Sequence, residues 1–113
     1  MTTQRKHTRC DWDSEIGVEW SGEIHAARAR NISLGGLYVD MAAPPPLGQR
    51  VLIHVELPGI PDVCLLPSIV RWSRPGDGFG VQFESLRAVE VWALNRLLRD
   101  LQQQHPNPSD VCL

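Results

Sequence analysis

Apolar and polar residues alternate in short runs through the first three quarters of the chain, and turn residues separate the runs. In the segments 15–20 and 50–57 every second residue is apolar, a period of two that is typical of strands with one buried face. Shorter runs at regular spacing indicate a β-sandwich or barrel. Six strands are predicted, at 15–20, 23–30, 37–39, 50–57, 62–72 and 79–83. Pro67 implies an edge position or a bulge in the fifth.

The period changes after Ser85. Apolar residues recur at steps of three and four from Leu86 to Leu101, which predicts one amphipathic helix with Ser85 as its N-cap. We expect the apolar face to pack mainly on the strands, although a broad stripe that includes Val91 and Trp92 could also serve a dimer partner. A monomer or a weak dimer is expected.

The length of 113 residues fits one compact domain. No apolar run approaches the ~20 residues that span a bilayer, and the polar, basic first ten residues do not resemble a secretory signal. A soluble, cytoplasmic protein without membrane insertion is therefore expected. The three cysteines and four histidines are scattered, so we expect reduced thiols and no metal site.

Charge is distributed unevenly along the chain. The first nine residues carry Arg5, Lys6 and Arg9 without an acid, whereas the remainder has 8 basic and 13 acidic residues. Binding of long nucleic acids usually needs a basic face that neutralises several phosphates. A basic tip on an acidic body suits a small anion better.

Two short motifs carry the candidate chemistry. Arg5 and Arg9 form an R-x-x-x-R motif before the first strand, and Asn31, Ser33 and Gly36 form an N-x-S-x-x-G motif. Each motif alone has a simpler interpretation. The R-x-x-x-R motif is typical of a solvated basic terminus. The N-x-S-x-x-G motif is typical of a turn at the end of a strand, in which Asn and Ser hydrogen-bond to nearby backbone. No nucleophile is accompanied by a base and an orienting group, so catalysis is not indicated.

The two motifs in this order, followed by Ile-Val-Arg-Trp, Gly-Phe-Gly-Val-Gln-Phe and a terminal amphipathic helix, resemble the PilZ domain family over residues 5–101. Asn31 stands where many members have Asp, an alternative that the family's pattern allows. The resemblance implies a six-stranded antiparallel β-barrel with a C-terminal amphipathic α-helix. It also implies that the ligand is cyclic di-GMP, with no further cofactor.

The resemblance implies roles for the motif residues. The N–H donors of a guanidinium match two phosphate oxygens or the O6 and N7 acceptors of guanine. Arg5 and Arg9 would therefore bind a phosphate and a guanine. Asn31 and Ser33 would bind the ligand from the barrel face, and Gly36 would allow close approach. The secondary candidates for ligand contact are Lys6, Arg30, Gly35 and Arg71.

The expected organisation has three parts: a flexible ligand-binding segment at 1–10, a barrel with its helix at 11–103, and a disordered tail at 104–113. We expect the segment 1–10 to fold over the ligand and so to signal to an unidentified effector protein. The resemblance implies control of motility, biofilm formation, adhesion, virulence or exopolysaccharide production.

Two other functions compete with the receptor interpretation. One is a PilZ-like adaptor that binds no nucleotide and acts only through protein contacts, against which intact Arg5 and Arg9 count. The other is a barrel that binds single-stranded nucleic acid on aromatic platforms, for which the chain offers four tryptophans. The acidic body argues against the second function.

Overall fold

The computed structural model describes residues 9–104 of the chain. Six strands are followed by one helix, with these bounds: β1 Cys10–Trp20, β2 Glu23–Ile32, β3 Gly36–Asp40, β4 Arg50–Val55, β5 Cys64–Arg74, β6 Gly78–Phe83 and α1 Ala88–Gln104. Each strand overlaps a segment in which the sequence predicts one. The first begins five residues earlier than predicted. In this added part exposed acidic residues alternate with Cys10, Trp12 and Ser14, of which only Cys10 is buried, so the apolar alternation is weak there.

The strands form one antiparallel sheet that closes into a barrel in the order β1, β2, β3, β6, β5, β4. Three residue pairs, Gly17–Glu19 with Leu52–His54, close the barrel between β1 and β4. The predicted fold class, a six-stranded antiparallel barrel with a C-terminal helix, is confirmed. Segments 1–8 and 105–113 lie outside the described residues, so the three-part division of the chain stays a prediction.

Apolar side chains fill the barrel interior. Every strand contributes residues that alternate with outward-facing ones, and the fully buried members include Val18, Ile32, Leu37, Ile53, Leu66 and Phe79. Burial of this apolar surface is the main favourable term in folding. With the interior packed, the outer face remains as the place for a binding site.

Two bulges decide which side chains reach that outer face. The register between β2 and β3 shifts between Ala29 and Asn31. Because a bulge adds one residue to a strand, Arg30 and Asn31 both face outward between Ala29 and Ile32, which are buried. The alternation is thereby reset for the rest of the strand.

The second bulge lies in β5. Its register with β6 shifts between Val70 and Trp72. Val70 is buried, whereas Arg71 and Trp72 are both exposed. Two consecutive side chains therefore lie on the same outer face.

Pro67 occupies a local edge. β5 pairs with β6 only from Ser68 onward, so Pro67 lies beyond the end of β6. Its carbonyl accepts a hydrogen bond from the Glu84 N–H at 2.8 Å, and no ladder bond requires the N–H that proline lacks. Pro67 therefore lies at a local edge of an otherwise closed barrel, which is one of the two positions that the sequence predicted for it.

The helix starts later than predicted, and Ser85 is not its N-cap. Arg87 precedes the first helical residue, and its N–H donates to Glu90 Oε1 at 2.9 Å. The Arg87 guanidinium also donates to Glu90 Oε2, from Nε at 3.0 Å and from Nη2 at 2.7 Å. A carboxylate in the first turn thus caps the backbone and favours the helix dipole. The prediction of Ser85 as the N-cap is therefore wrong, because the helix begins at Ala88.

The apolar stripe of α1 packs on the barrel beside β1. Ala93 and Leu94 are fully buried, and Leu101 is largely so. Trp92 is 50% exposed and covers Gly59, where an added Cβ would lie 2.6 Å from the indole ring. No helix among the described residues is long and apolar enough to cross a membrane.

The two cysteines within the described residues differ. Cys64 is a buried free thiol, and burial raises its pKa, so the thiol stays protonated at neutral pH. Cys10 is disulfide-bonded. The expectation that all three cysteines are reduced is therefore wrong at Cys10, because the spacing of cysteines in a sequence does not show which of them form disulfides.

Glu90→Ala should destabilise the protein by about 1–3 kcal/mol, because the change removes the acceptor of the helix N-terminus and of Arg87 from a site where Glu90 is only 3% exposed. Glu90→Gln keeps an acceptor for the backbone and should cost less. Urea unfolding followed by circular dichroism measures both. Glu56→Ala, at an exposed glutamate, is the control, and an equal midpoint for Glu56→Ala and Glu90→Ala would contradict the role of Glu90.

Candidate functional site

A groove of about 780 Å³ lies on the outer face of the barrel. We call it the main groove. The start of β1, the turn between β2 and β3, and strands β5 and β6 border it. Six of the nine residues singled out from sequence line it: Arg9, Asn31, Ser33, Gly35, Gly36 and Arg71.

Arg9 and Asn31 meet at one wall of the main groove. Arg9 Nη1 donates to Asn31 Oδ1 at 2.8 Å, across 22 positions of sequence. The contact forms because β1 pairs with β2 from Cys10 and Ile32 onward, while the bulge at Arg30 turns Asn31 outward. The second arginine of the R-x-x-x-R motif is thus bound to the first residue of N-x-S-x-x-G.

Ser33 shapes the turn that follows. Its Oγ accepts hydrogen bonds from the N–H groups of Gly35 and Gly36 at 3.0 and 3.2 Å, and its own N–H donates to the Gly36 carbonyl at 2.9 Å. The Ser33 side chain is buried. These bonds are those of a local Ser turn, so the hydroxyl fixes the shape of the groove wall.

Gly36 is required by the barrel itself. A Cβ at this position would fall on the Val81 carbonyl oxygen, well inside contact distance. Gly36 pairs with Gln82 on β6, and the neighbouring Gly35 carbonyl accepts from the Phe83 N–H at 2.8 Å. The last glycine of the motif therefore permits close approach of two strands.

Sequence reasoning underrated an aromatic pair in the main groove. The rings of Tyr38 and Trp72 stack with centroids 5.0 Å apart and an angle of 23° between their planes. Both residues pair with Gly80, where an added Cβ would collide with the indole. A glycine in the middle of a strand, between two aromatic neighbours in register, is the signal that could have revealed this stack.

Tyr38 also has a polar contact. Its hydroxyl donates to Asp77 Oδ1 at 3.1 Å. Burial, followed by the hydrogen bond and the negative charge of Asp77, raises the pKa of Tyr38 above its ordinary value. Tyr38 therefore stays a neutral donor throughout the physiological pH range.

Arg71 lies on the wall formed by β5 and β6. Its Nε donates to Gln82 Oε1 at 2.7 Å. The neighbouring Trp72 is 37% exposed, so a cation and an aromatic surface stand side by side. The sequence singled out Arg71 but gave no sign of its partner Gln82.

The structure does not bring Arg30 to this groove. Its guanidinium faces two carboxylates, Asp40 at 3.2 Å and Asp13 at 3.9 Å. It lines a second groove of about 800 Å³ beside α1, which shares Asn31 and Tyr38 with the main groove. Arg5 and Lys6 lie outside the described residues. Within residues 9–104, no group of three potential metal ligands is found.

Comparisons with known proteins extend these observations. The family model of the PilZ domain matches residues 3–100. No curated protein sequence matches the chain significantly.

Two solved structures share the fold. The Bacillus subtilis inhibitor of motility, MotI/DgrA, superposes with a TM-score of 0.75 at 18% identity, over 94% of this chain and 55% of that one. Borreliella burgdorferi PlzA in complex with c-di-GMP gives 0.66 at 13% identity, over 81% of this chain and 40% of that one. The match thus spans about half the length of these solved chains.

Gly80→Ala should displace the Trp72 ring while leaving the barrel intact, because the added methyl meets a side chain that can move. Near-ultraviolet circular dichroism should change, with an unaltered far-ultraviolet spectrum. Gly36→Ala is the matched contrast: its methyl meets backbone, so it should lose about 1–3 kcal/mol of stability. An unchanged near-ultraviolet spectrum for Gly80→Ala would refute the stack.

Proposed function

Because this chain belongs to the PilZ domain family, we propose that it is a receptor for cyclic di-GMP. The observation that carries the proposal is the main groove, which is lined by Arg9 just before β1, by Asn31 of β2 and by Arg71 of β5. The complex of PlzA with c-di-GMP, a structure of similar fold, supports this choice of ligand.

The chemistry of the groove fits the ligand. Cyclic di-GMP offers two phosphates and two guanines, and a guanidinium presents a planar fork of donors to either group. The fork of Arg9 is held by Asn31, and a held donor loses less entropy on binding. The groove volume of about 780 Å³ lies within the range of ordinary small-molecule sites.

We assign these residues as follows. Arg5 and Arg9 bind phosphate and guanine, and Asn31 orients Arg9 while offering its amide N–H groups to the ligand. Ser33, Gly35 and Gly36 form the turn beneath, and their contribution is the shape of the groove. Lys6 adds positive charge without fork geometry.

The assignment leaves out Arg30. Carboxylates of Asp13 and Asp40 face its guanidinium, and it lines the groove beside α1. A ligand would have to displace both acids to reach it.

The proposed role is binding, without catalysis. The Ser33 hydroxyl, a potential nucleophile in the main groove, is engaged by two backbone N–H groups. A serine nucleophile needs a general base within hydrogen-bond reach. The described residues that line this groove include no His and one carboxylate, Glu84, which Arg50 binds at 3.2 Å.

The proposed output is a ligand-dependent change in residues 1–10 that an effector protein recognises. A ligand shifts such an equilibrium only by its differential affinity for the two states, so the closed segment must contact the ligand, as Arg5 would. Control of motility, biofilm formation or exopolysaccharide production is the proposed setting. The similar fold of a protein named inhibitor of motility supports the first of these.

Isothermal titration calorimetry should detect saturable binding of cyclic di-GMP by the wild-type protein. Arg9→Ala should weaken binding by about 10- to 100-fold, the equivalent of one charge-assisted hydrogen-bonding group. Arg28→Ala is the matched control, since it removes an arginine that is paired with Asp13 and lines neither groove. It should bind as the wild type does.

The receptor proposal would be contradicted if folded wild-type protein gave no heat of binding at high micromolar concentrations of cyclic di-GMP. That outcome would favour the adaptor that binds no nucleotide. Equal weakening by Arg9→Ala and Arg28→Ala would instead mean that the effect is one of overall charge and does not come from the groove.

Hydrogen exchange tests the relay separately from binding. Saturating cyclic di-GMP should slow amide exchange in peptides that cover residues 1–10, because closure over the ligand protects those amides. The Arg9→Ala variant at the same ligand concentration is the control. Exchange that stays unchanged in a protein shown to bind would remove the relay and leave the receptor assignment standing.

A further inference from the structure

Apolar and acidic side chains together line the groove of about 800 Å³ beside α1, the second groove. The apolar ones include Trp12 and Leu97, which are partly buried, and Leu101, which is 8% exposed. Asp11 and Asp100 also line it and are exposed. The proposed receptor function leaves this groove without a role.

The second groove carries a net negative charge. Arg30, the one cation that lines it among the described residues, already faces Asp13 and Asp40. Asp11 and Asp100 take part in none of the ion pairs within residues 9–104. The last turn of α1 contains no basic residue, so the C-terminal end of the helix adds a partial negative charge. A cationic segment would therefore be attracted here.

The main groove has the opposite charge. Arg9 and Arg71 line it. Its one carboxylate among the described residues is Glu84, and Arg50 binds that carboxylate at 3.2 Å. A cationic segment is therefore repelled from the main groove as long as no anion occupies it.

The two grooves meet where the chain enters the barrel. Asn31 and Tyr38 line both of them. Arg9 lines the main groove, whereas Asp11, two positions later, lines the second groove. Segment 1–8 is joined to the barrel at Arg9, and so it begins at the boundary between a basic and an acidic groove.

The charge of segment 1–8 is complementary to the second groove. The segment carries Arg5 and Lys6 and no acid. Lys6 lies three residues before Arg9, which an extended chain spans in about 10 Å, so either groove is within reach. Opposite charges favour the second groove until an anion fills the main one.

We propose that the second groove is the resting site of segment 1–8 in the ligand-free protein, with Arg5 and Lys6 against Asp11 and Asp100. The two phosphates of cyclic di-GMP reverse the balance of charge in the main groove, and the segment then moves to the ligand. This resting site depends on the proposed receptor function and adds its regulation, because the contact in the second groove competes with closure over the ligand.

Zero-length cross-linking tests the resting site directly, because Lys6 is the single lysine of the chain. A carbodiimide joins an amine to a carboxylate in contact with it as an amide, with loss of water. Mass spectrometry of the monomeric product from ligand-free, full-length protein should identify a Lys6–Asp100 cross-link. Asp100 is the decisive partner because it lies on α1, far along the chain, whereas Asp11 is close enough in sequence to couple even in an unfolded chain. The Lys6–Asp100 product should be absent in urea.

Saturating cyclic di-GMP should reduce the yield of the Lys6–Asp100 product several-fold. Coupling of Lys6 to Asp62, an exposed acid outside both grooves, as readily as to Asp100 would overturn the resting site. The absence of any product with Asp100 would overturn it as well. A yield that stays unchanged in a protein shown to bind the ligand would overturn the exchange between the grooves.

Loss of the resting contact should strengthen ligand binding. The double variant Asp11→Asn/Asp100→Asn should bind cyclic di-GMP about 2- to 5-fold more tightly at low salt, the equivalent of one exposed ion pair. Glu56→Gln/Asp62→Asn removes the same charge from exposed positions outside both grooves. Equal gains by the two double variants in calorimetry would assign the effect to overall charge and overturn the competition.

The resting site and the receptor function fail in different ways. A wild type that binds no cyclic di-GMP would overturn the receptor function, although the cross-link in ligand-free protein would still show where segment 1–8 lies. A wild type that binds the ligand but gives no Lys6–Asp100 product would overturn the resting site alone.

Discussion

The alternation of side chains in a closed barrel is the constraint on which the rest of the structure depends. Inward positions are committed to apolar packing, so a strand with perfect alternation offers only every second residue to a ligand. Each of the bulges at Arg30 and Arg71 adds one further outward-facing side chain to its strand. They make consecutive side chains face outward, and the main groove lies where these interruptions fall.

Two glycines also shape the main groove, because they lack a side chain. Gly36 lets β3 approach the Val81 carbonyl, and Gly80 leaves room for the Tyr38 and Trp72 rings to meet across β6. Neither glycine has a side chain with which to contact a ligand. A motif glycine can therefore be essential to a site by determining how closely its walls stand.

Much of the fold follows from periodicity in the sequence. Alternation predicted the strands at 15–20 and 50–57, and short runs between turn residues predicted the other four. A period of three to four residues predicted α1, because burial imposes such spacings on any strand or helix that packs on one face. The start of the helix was missed: Ser85 is a good capping residue by type, but the buried Glu90 carboxylate holds the backbone at Arg87. Which cap forms depends on tertiary burial, which local sequence does not report.

The candidate site could be predicted only in part, because some of its contacts depend on how the strands pair. The motifs brought Arg9 and Asn31 to attention, and the two are in contact. The roles of Tyr38, Trp72 and Gln82 depend on strand register, which a single inserted residue changes. Arg30 and Arg71 looked alike in sequence, yet one faces two acids and the other faces an amide. Such partners come from neighbouring strands and are invisible along the chain.

The amide oxygen that holds Arg71 has a consequence for the free energy of ligand binding. An arginine paired with a carboxylate must lose that ion pair before an incoming anion can gain its full attraction. An arginine oriented by an amide loses little, since the neutral partner can remain bound while the ligand arrives. The guanidinium is then oriented during folding, so that more of the contact energy appears as affinity.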